Sequence, residues 1–305
     1  MPRCLSCGRR VRGPHPPCAG LPPEPPAAPE APPRPVPGFR LVRLLGRGGF
    51  GEVAAAARES DGRPVALKVA RPDVAGGREQ IFREAEALRL VGPPAVPALL
   101  GEGVLDDGSP WLAMELLEAP SLAERMAAGP LTPSEAVAVT AALLESLAAI
   151  HAAGLAHGDL KPENVLLEGE PPRARLVDLG LAARAAAAGA DAESLAGTAE
   201  YMSPEQCQGR APDARSDLYA VGVILFEMAT GRPPFFGGSG EVRHAHLTLR
   251  PPRPGSLSAL PGGLEEVVLR CLAKDPPARF ASARELRQAL LPILQSSARP
   301  DAPRP

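Results

Sequence analysis

His157-Gly158-Asp159-Leu160-Lys161-Pro162-Glu163-Asn164 is followed, fourteen residues after Asn164, by Asp178-Leu179-Gly180. A carboxylate beside a lysine and an amide, with a second carboxylate downstream, is a set of groups suited to phosphoryl transfer. That chemistry needs a base to orient a hydroxyl, a cation near the moving phosphoryl group and oxygen ligands for Mg²⁺. The alternative is an acidic solvated turn followed by an incidental Asp-Leu-Gly. Further motifs on both sides, in a fixed order, argue against it.

Upstream, Gly46-Arg47-Gly48-Gly49-Phe50-Gly51-Glu52-Val53 is a glycine-rich turn between two strand-like runs. Such a turn lets backbone N–H groups approach phosphates, and it also suits a plain hairpin. Val65-Ala66-Leu67-Lys68 follows as a strand. A buried lysine needs a counter-charge, and the helix expected over residues 78–91 offers Glu84 and, as a rival, Glu86. Downstream lie Gly197-Thr198-Ala199-Glu200-Tyr201-Met202-Ser203-Pro204-Glu205, Arg215-Ser216-Asp217 and Asp275-Pro276-Pro277-Ala278-Arg279-Phe280.

Together these motifs resemble the bacterial eukaryotic-like (Hanks-type) serine/threonine protein kinase family over roughly residues 38–294. The resemblance implies an α+β, two-lobed protein-kinase fold, with a β-rich N-lobe (about 38–115) bearing one main helix and a mostly helical C-lobe (about 118–294). It implies ATP and Mg²⁺. Asp159 would be the catalytic base and Lys161 would neutralise γ-phosphate charge. Asn164 and Asp178 would ligate Mg²⁺ through hard oxygens. Gly46, Gly48, Gly49, Phe50, Gly51 and Val53 would cover the nucleotide, with Ala66 beside it. Lys68, held by Glu84, would meet the α- and β-phosphates. Met114 would back the adenine pocket, and the backbone at Glu115 and Leu117 would meet the base. Glu205 would pair with Arg279, and Asp217 would anchor the catalytic loop. The partners implied are proteins carrying Ser or Thr. A pseudokinase scaffold is the competing reading, and it is disfavoured because every ATP and Mg²⁺ residue is present.

Two departures from the family pattern stand out. Leu179 replaces the usual Phe of Asp-Phe-Gly. Gly158 replaces the Arg that usually precedes the catalytic Asp and meets an activation-loop phosphate. Between Leu179 and Gly197 only Ser194 carries a hydroxyl. Both facts lead us to expect an enzyme that needs no phosphate on that loop.

Local signals fill in the rest. Thr132-Pro133-Ser134-Glu135 reads as a helix start with a capping box, and that helix is expected to run to about Ala153. Further helices are expected over 216–230, 264–273 and 283–294, with residues 295–305 as a disordered tail. Nine prolines in residues 22–37 make a semi-rigid spacer, and residues 21–37 are expected to uncouple what precedes them from the globular part. Cys4, Cys7, His15 and Cys18, in two pairs of equal inner spacing, form a zinc-ribbon-like segment over residues 1–20 that suits tetrahedral Zn²⁺. The segment is also a candidate to bind a partner. A net charge of −2 gives no argument for nucleic acid or an anionic membrane. No uninterrupted apolar run of membrane-spanning length and no secretory signal core are visible, and a cytoplasmic location is expected.

Overall fold

The computed structural model describes Arg10 and residues 34–48, 51–72, 74, 76–184 and 199–297. Five strands form one antiparallel sheet: β1 (Phe39–Arg47), β2 (Gly51–Arg58), β3 (Pro64–Ala70), β4 (Leu99–Val104) and β5 (Pro110–Glu115), in the order β1-β2-β3-β5-β4. Strand β3 lies at the centre, and Val65 to Ala70 are all buried. Its sequence is accordingly apolar except for Lys68, which stands opposite Val53 on β2 and Leu112 on β5. A lone cation in a buried strand requires an anionic partner nearby.

Helix α1 (Gly77–Val91) supplies it. Its buried face includes Ile81, Glu84, Ala85 and Leu88, whereas Glu86 is exposed. This choice between the two glutamates follows from the helical period, which puts Glu84 on the face of Ile81 and Leu88.

The second lobe is built on α2 (Leu122–Ala128), α3 (Pro133–Ala152), α4 (Pro204–Cys207), α5 (Ala214–Thr230), α6 (Ser239–Thr248), α7 (Leu264–Cys271) and α8 (Ala283–Ser297). Short pairs β6 (Leu155–Ala156) with β9 (Ala183–Arg184), and β7 (Val165–Glu168) with β8 (Arg173–Leu176), frame the loops of the site. Thr132 caps α3 through a reciprocal box with Glu135, as the sequence predicts. Helix α3 is long and apolar enough on average to cross a membrane, although Glu135, Glu145 and His151 interrupt its apolar run. Ten of its 20 residues, Leu143, Leu144, Leu147 and Ile150 among them, are buried in the lobe's core. Helix α5, capped by Asp213, buries 14 of its 17 residues, so it is packed on every side. Two of the buried residues, Asp217 and Glu227, are acidic, and each must find compensation inside the protein.

The packed unit begins before Gly38. Arg34 bonds the Ala70 carbonyl at 3.1 Å and the Ser109 hydroxyl at 3.0 Å, and Val36 is buried beside Val65, Leu67 and Ala113. The end of the proline-rich stretch is therefore fixed to the sheet by one cation and one apolar side chain. At the other terminus α8 runs three residues past the expected end at 294.

Candidate active site

The Lys68 ammonium lies between two carboxylates, 2.5 Å from Glu84 Oε2 and 2.6 Å from Asp178 Oδ1. Burial alone would discharge the amine. Glu84 and Asp178 more than offset this and hold its pKa above the ordinary lysine value. Burial raises the Glu84 carboxyl against the pull of Lys68, while Lys68 holds Asp178 below the usual carboxylate range despite its burial. Glu84 also accepts the N–H of Leu179. One carboxylate on α1 thus ties β3 and the Asp178 turn together.

Asp178 has φ 64° and ψ 58°, the one described non-glycine residue with positive φ. A short polar side chain tolerates this conformation better than most. The turn that follows is held by packing: Leu179 is fully buried in the main core, so the exchange of an aromatic for a leucine leaves the site closed. A Cβ on Gly180 would lie 2.4 Å from Gln80 Cγ on α1, so a side chain there would force the buried Gln80 to move.

The second half of the site is the loop after β6. Asp217 on α5 accepts the backbone N–H of His157 at 2.8 Å and of Gly158 at 2.9 Å, and its Oδ2 lies 2.8 Å from His151 Nε2. This buried anion fixes the loop that carries Asp159. The Asp159 carboxylate meets Lys161 Nζ at 2.6 Å, and Asn164 Nδ2 bonds the Asp159 carbonyl at 2.8 Å. Burial raises the Asp159 pKa, with Lys161 opposing it and the charge of Asp178 adding to it. Two carboxylates, a lysine and an amide therefore converge on one cleft between the lobes.

Residues 39–291, most of the chain, match the family described as protein kinase domain. The chain belongs to the protein kinase family. It is 38% identical over 274 residues to the serine/threonine-protein kinase Pkn1 of Myxococcus xanthus, an alignment covering 87% of this chain and 39% of that protein. It is 40% identical over 267 residues to pkn2 of the same organism, covering 83% of this chain and 32% of that one. It is 34% identical over 280 residues to PknB of Mycobacterium tuberculosis, covering 87% and 44%. The chain thus spans less than half the length of these relatives.

Within the kinase domain, the residues expected on the adenine side lie where β3, β5 and the following segment meet. Ala66 and Met114 are register partners and both are buried, and Val53 packs against the same core. The Glu115 side chain is held by Arg175 at 2.7 Å and accepts from the Ala98 N–H, so it braces the segment leading to Leu117. Gly46, Gly48 and Gly51 flank the loop, with a Gly48 N–H to Gly51 carbonyl bond of 2.8 Å; Gly49 and Phe50 lie outside the described residues. So do Ser194, Gly197 and Thr198, and Cys4, Cys7, His15 and Cys18.

Glu205 and Arg279 form the expected pair, with Nη1 donating to Oε1 at 2.7 Å and Nη2 to Oε2 at 2.8 Å. The neighbouring Gln206 Nε2 bonds the Gly158 carbonyl at 2.7 Å. Gly158 itself has φ +78°, and a Cβ there would sit 2.8 Å from the Leu181 carbonyl oxygen and 3.1 Å from Pro212 Cγ. The glycine thus has a backbone reason to be here, beyond the charge it removes.

Sequence reasoning missed one contact altogether. Arg10 enters the kinase domain beside the loop that carries Asp159 and bonds Glu163, Tyr201 and Glu227. The proline-rich spacer predicts an N-terminal segment independent of the kinase, and this contact departs from that. Nothing local to Arg10 marks it, since its partners lie 153, 191 and 217 residues away.

Proposed function

We propose that the chain is an ATP-dependent serine/threonine protein kinase. The observation that carries this reading is the assembly around Lys68: the lysine is held by Glu84 on one side and Asp178 on the other, with Asp159, Lys161 and Asn164 completing the cleft. No residue of the set is missing, and nothing favours a scaffold without turnover.

In the proposed reaction the oxygen of a substrate Ser or Thr attacks the γ-phosphorus of ATP. The bond from that phosphorus to the β–γ bridging oxygen breaks, ADP leaves, and the hydroxyl proton passes to Asp159 and on to solvent. Asp159 orients the hydroxyl, and its burial supports a carboxylate that takes a proton more readily than an exposed one. Lys161 offsets negative charge gathering at the transferring group. Lys68 binds the phosphates of the bound nucleotide, its position set by Glu84.

The donor set fits Mg²⁺. Asn164 spends its amide nitrogen on the Asp159 carbonyl, which leaves the oxygen as its ligand end, and the Asp178 side chain is 40% exposed and ionised. Asn164 and Asp178 would hold the ion through hard oxygens, and the ion would supply neutralising charge to the phosphates.

The absence of the Arg before Asp159, and the single hydroxyl at Ser194, support activity without phosphorylation of the activation loop. Dependence on ATP supports a cytoplasmic location for this domain. Cys4, Cys7, His15 and Cys18 are read as one structural Zn²⁺ site, supported by their spacing alone. The kinase reading is tested by incubating the chain and a generic basic protein with γ-labelled ATP and Mg²⁺, then hydrolysing the product. Label on phosphoserine or phosphothreonine is expected. Absence of label, or label on phosphotyrosine alone, would count against the assignment.

A further inference from the structure

Only three of the 33 lysine and arginine residues in this chain are lysines. Two of them, Lys68 and Lys161, sit in the cleft with carboxylates at 2.5 and 2.6 Å. The third is Lys274. Arginine serves everywhere else that a basic side chain stands, and an arginine cannot be deprotonated. A composition so tilted toward arginine makes the amine at 274 the feature to explain. An amine can lose its proton and act as a nucleophile.

Lys274 follows α7 and is half-buried. Its Nζ donates to the Tyr219 hydroxyl at 3.4 Å and to the Ala245 carbonyl at 3.3 Å, both long bonds. Its other neighbours are ring faces, with Phe235 at 4.8 Å and Tyr219 at 5.8 Å to the centroid. Among the described residues no carboxylate pairs with it. The titratable groups around it are Tyr219, His246, Cys207 and Arg279. Burial keeps the Tyr219 hydroxyl protonated and pushes the Cys207 thiol up to about 11. Burial and the charge of Lys274 lower the His246 pKa to about 4. No anion therefore faces the amine at neutral pH. Burial, then the Arg279 guanidinium, lowers the Lys274 pKa to about 8, with Cys207 opposing.

A cleft of about 350 Å³ adjoins this residue. Thr248, Arg250, Pro251, Arg253, Leu272 and Lys274 line it. Arg250 and Arg253 are exposed, and Arg253 lies 3.5 Å from Glu265. Two guanidinium groups and a hydroxyl suit a phosphate, and Pro251 and Leu272 suit a short carbon chain. We propose that Lys274 is an acylation site whose donor is a small acyl phosphate held by Arg250 and Arg253. The unprotonated Nζ attacks the carbonyl carbon of the donor. The N–C bond forms, the bond from that carbon to the phosphate oxygen breaks, and inorganic phosphate leaves with the electron pair. The surplus proton on the nitrogen passes to solvent. The product amide carries no charge and keeps one N–H, enough for the Ala245 carbonyl. The step uses neither Asp159 nor ATP, so it stands whether or not the kinase reading does.

At pH 8 about half of Lys274 is free amine, against roughly 0.4% of an ordinary lysine. A weaker base is also a weaker nucleophile, which trims this advantage of about a hundredfold to about tenfold. The experiment incubates the full chain with acetyl phosphate and follows acetylation of each lysine by peptide mass spectrometry. Lys274 is expected to react about tenfold faster than Lys68 or Lys161, at a rate that rises with pH and levels off near about pH 9. The double variant Arg250→Ala/Arg253→Ala is expected to slow acetyl phosphate at Lys274 by about fivefold and to leave its reaction with uncharged N-hydroxysuccinimidyl acetate unchanged.

Acetylation of Lys274 no faster than that of the other two lysines would overturn the site. Equal effects of the double variant on the two reagents, or none, would overturn the role of the arginines. Should the double variant misfold by circular dichroism, inorganic phosphate at about 20 mM replaces it. It should slow acetyl phosphate at Lys274 of the wild type and spare N-hydroxysuccinimidyl acetate. Absence of that competition would count against the arginines holding the donor.

Discussion

Replacing Arg279 with methionine removes the most completely buried cation of the C-lobe while keeping a long apolar stem. Its guanidinium meets Glu205 at 2.7 and 2.8 Å and also bonds the carbonyls of Arg215, Ala273 and Lys274 at 2.8, 2.9 and 3.2 Å. The Arg279 side chain is 0% exposed and that of Glu205 is 7%. After Arg279→Met, Glu205 keeps the Ser216 hydroxyl at 2.6 Å and loses its counter-ion. Breaking a buried pair by removing one partner costs about 3–5 kcal/mol. For a domain of this size that corresponds to a fall in Tm of about 10 °C. The deficit should depend on pH. In the wild type, burial pushes the Glu205 pKa up and Arg279 overrides it, so the folded pKa lies below the ordinary value. Without Arg279 burial is opposed only by the weaker hydrogen bonds that remain, that of Ser216 among them, and the folded pKa is expected to rise above the unfolded value of about 4.3. A carboxyl that binds its proton more tightly when folded gains stability as pH falls through its folded pKa. The Tm gap between the two proteins should therefore narrow from pH 7 to about pH 4.5. Differential scanning fluorimetry across that range is the assay, and Glu205→Gln added to the variant should recover part of the loss. A gap below about 2 °C, or one unchanged with pH, would refute the reasoning.

Other outcomes follow from the same geometry. Gly158→Ala should cost about 1–2 kcal/mol through its left-handed backbone, read as a Tm loss of several degrees, and Gly158→Arg should fare no better and gain no dependence on activation-loop phosphate; an unshifted Tm would contradict the φ of +78°. Asp217→Asn should lower kcat by about tenfold or more with the KM for ATP nearly unchanged, because it weakens the acceptor for the His157 and Gly158 N–H groups; a raised KM for ATP at constant kcat would assign Asp217 another role. Metal analysis of the purified chain should find about one Zn²⁺ per chain, lost in Cys4→Ser; metal-free protein, or metal indifferent to that change, would retire the site.

The parts of this molecule legible in its sequence are those whose signal is local. Asp159, Lys161, Asn164 and Asp178 stand close together in the chain, and their chemistry can be read without knowing the fold. Glu205–Arg279 and Asp217 were legible through family resemblance, because motifs far apart keep their order. Glu84 was preferred to Glu86 from the helical period, which puts it on the face of Leu88, and the burial of that face agrees. Helix α2 carried a legible cap, Ser121 with Glu124, yet at seven residues it was too short to stand out by periodicity. Gly158 was read as a deleted charge because a sequence shows side chains and hides φ. Arg10 was not legible at all. Its role arises from three partners scattered over the second lobe, and an arginine in an Arg-rich, Pro-rich segment looks solvated until a pocket closes around it.

The central claim is that Asp159 acts on a substrate hydroxyl in a phosphoryl transfer powered by ATP bound at Lys68. The direct measurement compares initial rates of γ-phosphate transfer from ATP–Mg²⁺ to a Ser-containing basic substrate for the wild type and Asp159→Asn, alongside nucleotide binding by each. Loss of the base should slow transfer by about 10²–10⁴-fold and leave nucleotide affinity within about twofold, since Asp159 is no phosphate ligand. Equal transfer rates in the two proteins would contradict the account.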